Sequence, residues 1–161
     1  MIKIFVTGGT FDKDYDEKNG RLYFKETHMN EILKLGRSKV DVNIETLMML
    51  DSLDMDEDDR KLIIEKCTKS KENHIVITHG TDTMTDTAMD LGRRKLNKTI
   101  VLTGAMIPYK FGTSDGLFNI ASALAYVQTL TKGVYVAMNG RVFTYDRVLK
   151  NRDTGIFEEL I

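Results

Sequence analysis

Three short clusters in this sequence combine glycines with hydroxyl, carboxylate or imidazole groups. They are Thr7-Gly8-Gly9-Thr10, His79-Gly80-Thr81-Asp82-Thr83 and Thr103-Gly104-Ala105-Met106. A threonine hydroxyl is a weak nucleophile that acts once a neighbouring base takes its proton. A carboxylate at the amino end of a helix is stabilised in its charged form, and there it can hold a ligand ammonium. The first cluster would suit a phosphate only if a helix began straight after the glycines. Instead they run into Phe11-Asp12-Lys13-Asp14, with no helical period and two acids. Gly8 and Gly9 also suit a plain tight turn, with Thr10 as a turn hydroxyl. Capping would account for Asp82 or Thr81 alone, but not for Thr81, Asp82 and Thr83 crowded directly after Ile75-Val76-Ile77. His79 has no second His or Cys at ligand spacing and reads as a packed or hydrogen-bonded residue rather than a metal ligand.

Each cluster follows an apolar, β-branched run of the kind that forms strands buried on both faces of a parallel sheet. The expected strands are Ile2–Val6, Val40–Leu47, His74–Thr78, Thr99–Thr103 and Gly133–Met138, with Arg141–Thr144 as a short sixth. Helices alternate with them. Asp56 caps one over Glu57 to about Lys69, with Leu62, Ile63 and Cys67 inward. Asp82 opens a second to about Lys95, burying Met84, Ala88 and Leu91. Ser114 or Asp115 opens a third, through Leu130. The alternation predicts an α/β fold with an open, mostly parallel sheet and helices on both faces, a Rossmann- or flavodoxin-like three-layer sandwich. Parallel strands would bring all three clusters to one edge, where such sheets bind ligands. Phe11 to Lys25 breaks the pattern and reads as a mobile loop or small hairpin, well placed to act as a lid.

The chain has 161 residues, which suits one domain. Its net charge of −1 gives no long-range pull on nucleic acid. Cys67 is the lone cysteine, so no disulfide framework or Cys-rich metal site is expected, and a reducing compartment is the simpler reading. The first residues turn polar too quickly for a signal peptide, and no apolar run reaches the ~18 residues of a membrane span. A soluble, cytoplasmic protein is the expectation.

The clusters, with Ser114-Asp115-Gly116, Phe118-Asn119 and Val136-Ala137-Met138-Asn139-Gly140, stand in the order and spacing of one family. Over nearly its whole length the chain resembles the amino-terminal domain of bacterial-type L-asparaginases. The resemblance implies hydrolysis of the side-chain amide of L-asparagine to L-aspartate and ammonia, without metal or cofactor. It implies that Thr10 is the nucleophile and that Thr81 and Asp82 are the second threonine and the carboxylate that binds the substrate α-amine. Lys150 matches the lysine that partners Thr81, and Ser52 the serine that helps bind the α-carboxylate. Ala105 matches a residue whose backbone carbonyl lines the amide pocket. Tyr23 sits at the position of the lid tyrosine, with Tyr15 as the other candidate.

Two departures qualify this reading. Leu53 stands where many members carry a substrate-binding glutamine. The chain ends eleven residues after Lys150, so the expectation is a single domain, 1–161, without the family's carboxyl-terminal domain, which closes the pocket of a neighbouring subunit. Three functions follow: an asparaginase, a non-catalytic asparagine- or aspartate-binding module, or an amidase subunit that needs a partner chain. The long helix carries apolar or small groups on most of its faces, more than one sheet face covers. A homo-oligomer, dimer or tetramer, is therefore expected, with this helix at or near the interface.

Overall fold

Apolar residues alternating in and out along four strands decide the architecture. In β1 (Ile2–Gly8), Ile4 and Val6 point to one core and Phe5 to the other. In β5 (His74–Thr78) Ile75 and Ile77 face opposite to Val76, and in β6 (Thr99–Thr103) Ile100 and Leu102 face opposite to Val101. In β7 (Gly133–Met138) Val134, Val136 and Met138 face opposite to Ala137. A strand apolar on both faces is stable only between two covering layers. The computed structural model, which describes residues 1–161, supplies both layers.

Helices α1 (Met29–Leu35) and α4 (Gly116–Thr129) cover one face, and α2 (Glu57–Lys69) and α3 (Met84–Arg93) the other. With β4 (Val42–Leu50) and β8 (Arg141–Thr144), the sheet runs in the order β4-β1-β5-β6-β7-β8. All neighbours are parallel except β7 and β8, so the expected three-layer α/β fold is what forms. The chain leaves β1 outward to β4 and returns to the far side of β1 as β5. This reversal opens a crevice between the carboxyl ends of β1 and β5, the place where such sheets bind ligands.

The helix ends show where local rules hold. Asp56 caps α2 through a reciprocal pair: its carboxylate accepts from the Asp59 N–H at 2.9 Å, and the Asp59 carboxylate accepts from the Asp56 N–H at 3.0 Å. Ile63 and Cys67 are buried beneath α2 as expected, while Leu62 is only half-buried. Asp82 does not open α3. Thr83 holds the cap position without a side-chain capping bond, and the Asp82 carboxylate is drawn to Lys150 instead. At α4 Asp115 holds the cap position, but its carboxylate accepts from the N–H groups of Met106 and Ile107 and so ties the β6 exit down.

The irregular stretch after β1 is a hairpin, β2 (Lys13–Asp16) against β3 (Arg21–Phe24), anchored by the buried Phe11 and Asp12. Helix α1 follows it. Little in the residue pattern signals α1, because seven residues hold only Met29, Ile32 and Leu33 as an apolar stripe. The chain closes with a small antiparallel pair, β9 (Val148–Lys150) and β10 (Phe157–Glu159), pinned to the core by the fully buried Phe157.

The fold covers only part of the apolar surface of α4. Sheet and α1 together bury Ile120, Ala123, Leu124 and Val127, leaving Phe118, Ala121 and Ala125 on the outer side. Ala123→Glu would force a carboxylate into a core site that is 0% exposed, a desolvation cost of several kcal/mol. At ~2–4 °C per kcal/mol for a chain of this size, its melting temperature should fall by about 10 °C or more. Ala125→Glu should leave it almost unchanged. Calorimetry on both variants checks the assignment of faces, and an unshifted Ala123→Glu would refute it.

His79 is completely buried at the end of β5. Its Nδ1 lies 2.8 Å from the Gly80 carbonyl oxygen and its Nε2 2.8 Å from Thr87 Oγ1. Burial pushes its pKa down to about 4, so it is neutral in the folded chain. The unfolded chain takes up its proton near pH 6.5. Stability from this residue is therefore full above that pH and lost as pH falls from about 6.5 to about 4, at up to ~1.4 kcal/mol per pH unit. Urea unfolding at a series of pH values should show a slope in this window that is shallower in His79→Asn by about one proton. Equal slopes would mean the imidazole is already charged in the native state.

Candidate active site

Glycine makes the crevice possible. A Cβ atom on Gly9 would lie 2.5 Å from the Gly80 backbone, and one on Gly104 2.3 Å from the His79 carbonyl oxygen. A Cβ on Gly80 would lie 2.6 Å from Ser52. Real side chains never come so close to backbone. The three glycine-bearing turns therefore meet as bare backbone, with the Ser52 side chain packed directly on Gly80, and Gly8 and Gly9, both at positive φ, do more than reverse the chain. Strand-end hydroxyls rivet the meeting point. Thr7 Oγ1 donates to the Thr78 carbonyl at 2.8 Å, and Thr103 Oγ1 donates to the Ala137 carbonyl at 2.8 Å. Asn119 on α4 donates to the Gly104 carbonyl at 2.9 Å and accepts from the Asn139 N–H at 3.3 Å.

Thr81, Asp82 and Lys150 form one hydrogen-bonded group in this crevice. Lys150 Nζ lies 2.8 Å from Thr81 Oγ1 and 2.8 Å from Asp82 Oδ1. The β9–β10 pair delivers it there: Phe157 fixes the hairpin, and Lys150 is the last residue of β9. The lysine side chain is only 11% exposed, so its charge is matched by Asp82 rather than by bulk water. Thr81 turns its own proton toward Met106 Sδ at 3.6 Å, a weak acceptor easily exchanged for a better one. Arg152 reaches the same carboxylate from the solvent side, with Nη1 3.4 Å from Asp82 Oδ1 and Nη2 donating to the Asp82 carbonyl at 3.2 Å.

Ser52 is buried beside this group. Its Oγ accepts from the Thr83 N–H at 3.3 Å, which leaves the hydroxyl proton free to donate. Ala105 is buried at the exit of β6, next to Gly104. Thr10 is half-exposed and opens a short 3-10 turn, Thr10–Asp12, directly after the Gly9–Gly80 contact. That turn is held from beneath. The buried Asp12 carboxylate accepts from the His28 N–H at 2.8 Å and from Thr27 Oγ1 at 3.2 Å, while burial raises its pKa. Lys13 pairs with Asp51, holding that carboxyl below its ordinary range and tying the hairpin to the loop that carries Ser52.

Six of the seven candidate residues thus lie in or beside one crevice: Thr10, Thr81, Asp82, Lys150, Ser52 and Ala105. Tyr23 stands apart. It lies on β3 opposite Asp14, on the other hairpin face from Tyr15. Tyr15 rests edge-on against Phe111 with ring centroids 6.4 Å apart. Both tyrosines are exposed, and neither hydroxyl joins the bonds that link Thr81, Asp82 and Lys150. Sequence reading missed Asp12, which supports Thr10 from beneath, and Arg152. Asp12 carried one signal, a carboxylate just after the first glycine turn. Arg152 carried none, because its partner is 70 residues away.

The family described as "Asparaginase, N-terminal" matches residues 1–156. L-asparaginase 2 of Escherichia coli is 31% identical over 166 residues, covering 96% of this chain and 47% of that protein. A subunit of the glutamyl-tRNA(Gln) amidotransferase from Methanococcus vannielii is 33% identical over 148 residues, covering 88% of this chain and 34% of that protein. Among solved structures, the thermostable L-asparaginase of Thermococcus kodakarensis superposes with a TM-score of 0.84 at 30% identity, over 98% of this chain and 50% of that one. The chain spans about half the length of these asparaginases. With a family match running from the first residue through β9 to the edge of β10, the chain belongs to the asparaginase family, as the counterpart of its amino-terminal domain.

Proposed function

We propose that the crevice hydrolyses the side-chain amide of L-asparagine, with Thr10 as nucleophile and the Thr81–Asp82–Lys150 group serving its proton transfers and substrate binding. One observation carries this reading. Lys150 Nζ sits within 2.8 Å of both the Thr81 hydroxyl and an Asp82 carboxylate oxygen, beside three glycine turns that pack against one another. An amine at that distance takes the Thr81 proton when neutral and stabilises the Thr81 alkoxide when charged, so that Thr81 can relay protons to and from Thr10. Asp82 keeps a second oxygen for the substrate ammonium, and Ser52 has a proton to give to the α-carboxylate.

In this scheme the Thr10 oxygen attacks the amide carbon as its proton passes to the Thr81–Lys150 pair, which later returns it to the departing nitrogen, and the carbonyl electron pair moves onto oxygen. The backbone N–H groups of Thr10, Thr81 and Asp82 are not used by the sheet or the helices, so they are free to face that oxyanion. The C–N bond then breaks, the nitrogen takes a proton and departs as ammonia, and an aspartyl ester remains on Thr10. Water activated through Thr81 and Lys150 cleaves the ester. Tyr23 or Tyr15 would join only after the hairpin closes over the crevice.

The rim favours a closing partner. Met106, 40% exposed, lies against Thr81 and Gly155, and Leu53 and Ile156, next in sequence to Ser52 and Gly155, are 67% and 46% exposed. Apolar side chains around a polar site suit contact with further protein. A second copy of the chain, or a different partner chain as the amidotransferase relative suggests, would provide it. No helix is long and apolar enough to cross a membrane, and we propose a cytoplasmic protein.

Thr10→Ala, Thr81→Val and Lys150→Met should each lower ammonia release from L-asparagine by about 10²-fold or more, the usual cost of losing a nucleophile or its activation. Their melting curves should stay close to that of the unmutated chain, because all three residues lie at strand ends or in a turn. Near-normal turnover in any one of them would remove that residue from the mechanism. If the unmutated chain binds aspartate yet releases no ammonia from asparagine, even with its partner, a binding module is the better account.

A further inference from the structure

Asp82 is held by two cations, and the proposed mechanism uses only one of them. Lys150 and Arg152 both fall on Oδ1, at 2.8 and 3.4 Å, so the contacts within the chain leave Oδ2 to an incoming ligand. The Arg152 guanidinium has five N–H donors. One goes to Oδ1 and one to the Asp82 carbonyl, which leaves the remainder facing solvent on a side chain that is 65% exposed. The backbone beneath it is fixed. Asn151 Oδ1 accepts from the N–H groups of Asp153 and Thr154 at 3.0 and 3.3 Å, and the Gly155 N–H donates to the Asn151 carbonyl at 2.8 Å. The crevice mouth therefore presents a free carboxylate oxygen next to a tethered guanidinium with free donors.

An α-amino acid carries an ammonium and a carboxylate on one carbon, and this pair of protein charges is their complement. The geometry points to Arg152 as a substrate-binding residue that takes the α-carboxylate while Asp82 Oδ2 takes the α-ammonium. The inference rests on the amide-hydrolase reading of the crevice and deepens it. It adds a fully charged donor to the neutral Ser52 hydroxyl, and it makes the site selective for ligands that carry both α-groups. With Arg152 the Asp82–Lys150 pair becomes a group of net positive charge, which suits a ligand that is anionic at its side chain after reaction. Guanidinium matches carboxylate through two parallel bonds, which an ammonium in its place cannot make.

The test is calorimetric titration of the full chain with three ligands. These are L-aspartate, succinate (which lacks the ammonium) and β-alanine (which lacks the α-carboxylate). An exposed, charge-assisted contact is worth about three- to tenfold in affinity. Arg152→Met should weaken L-aspartate and succinate by that factor and leave β-alanine unchanged, and Arg152→Lys should recover part of the loss. Two results would overturn the assignment. Equal weakening of all three ligands would mean that Arg152 only holds Asp82 in place. Tighter binding of L-aspartate and β-alanine by Arg152→Met would mean that the guanidinium merely competes with the ligand ammonium. Failure of the amide-hydrolase reading looks different: the unmutated chain would bind no L-aspartate, or Asp82→Asn would bind it as well as the unmutated chain does, and the Arg152 assignment would fall with it.

Discussion

The absence of side chains at Gly9, Gly80 and Gly104 is the constraint on which the rest of this molecule depends. Neighbours approaching to 2.3–2.6 Å of where a Cβ would stand cannot tolerate even alanine. Because the turns meet so closely, the groups beside them are set by main chain rather than by flexible side chains. Thr10 follows Gly9, Thr81 follows Gly80 and Ala105 follows Gly104. A site built this way is positioned to the precision of the sheet itself. The parallel sheet makes the convergence possible, since it places three carboxyl strand ends side by side at a reversal of strand order.

That construction has an electrostatic consequence. Thr81 and Asp82 are fixed before α3 begins, so the helix is left without a side-chain cap. Thr83 at the cap position forgoes a capping interaction usually worth about 1 kcal/mol, because its hydroxyl donates to the Ser52 carbonyl at 2.9 Å. Lys150 comes from a distant part of the chain, on a two-stranded hairpin that would be marginal by itself. Phe157, completely buried, is what holds that hairpin to the core. A packing residue near the end of the chain thus fixes the distance between an amine and a hydroxyl at its centre.

The fold was legible in the sequence because strands buried on both faces must be apolar on every residue, and β5, β6 and β7 read so. Capping was legible where nothing competed for the carboxylate, as at Asp56 in α2. It misled at Asp82, where an ion pair formed with a residue 68 positions away outcompetes the local bond. The crowding of Thr81, Asp82 and Thr83 was visible as an excess over what a cap needs, but its partner was named only through family resemblance. Helix α1 was hidden because seven residues offer too few turns for a period to show. The hairpin Lys13–Phe24 was one of two readings left open, and it was decided by tertiary anchors, Phe11 and Asp12, that periodicity does not report. Arg152 was invisible for the same reason as Lys150, with no resemblance to point to it.

The two anchors of the hairpin also decide how the site can move. Asp12 binds the segment leading into α1, and Lys13 binds Asp51 beside Ser52. Beyond them β2 keeps two outside contacts, Asp14 with His28 at 3.1 Å and Tyr15 with Phe111, while the tip from Glu17 to Leu22 is exposed. An element with a buried root and a free tip pivots more easily than it unfolds. The root carries Thr10 and cannot shift without disturbing the Gly9–Gly80 contact, whereas the strands beyond it carry Tyr23 and Tyr15 and can. Thr10 is therefore fixed in advance, and the two tyrosines lie on the part of the hairpin whose tip is exposed. This division follows from where the burial stops along one short hairpin.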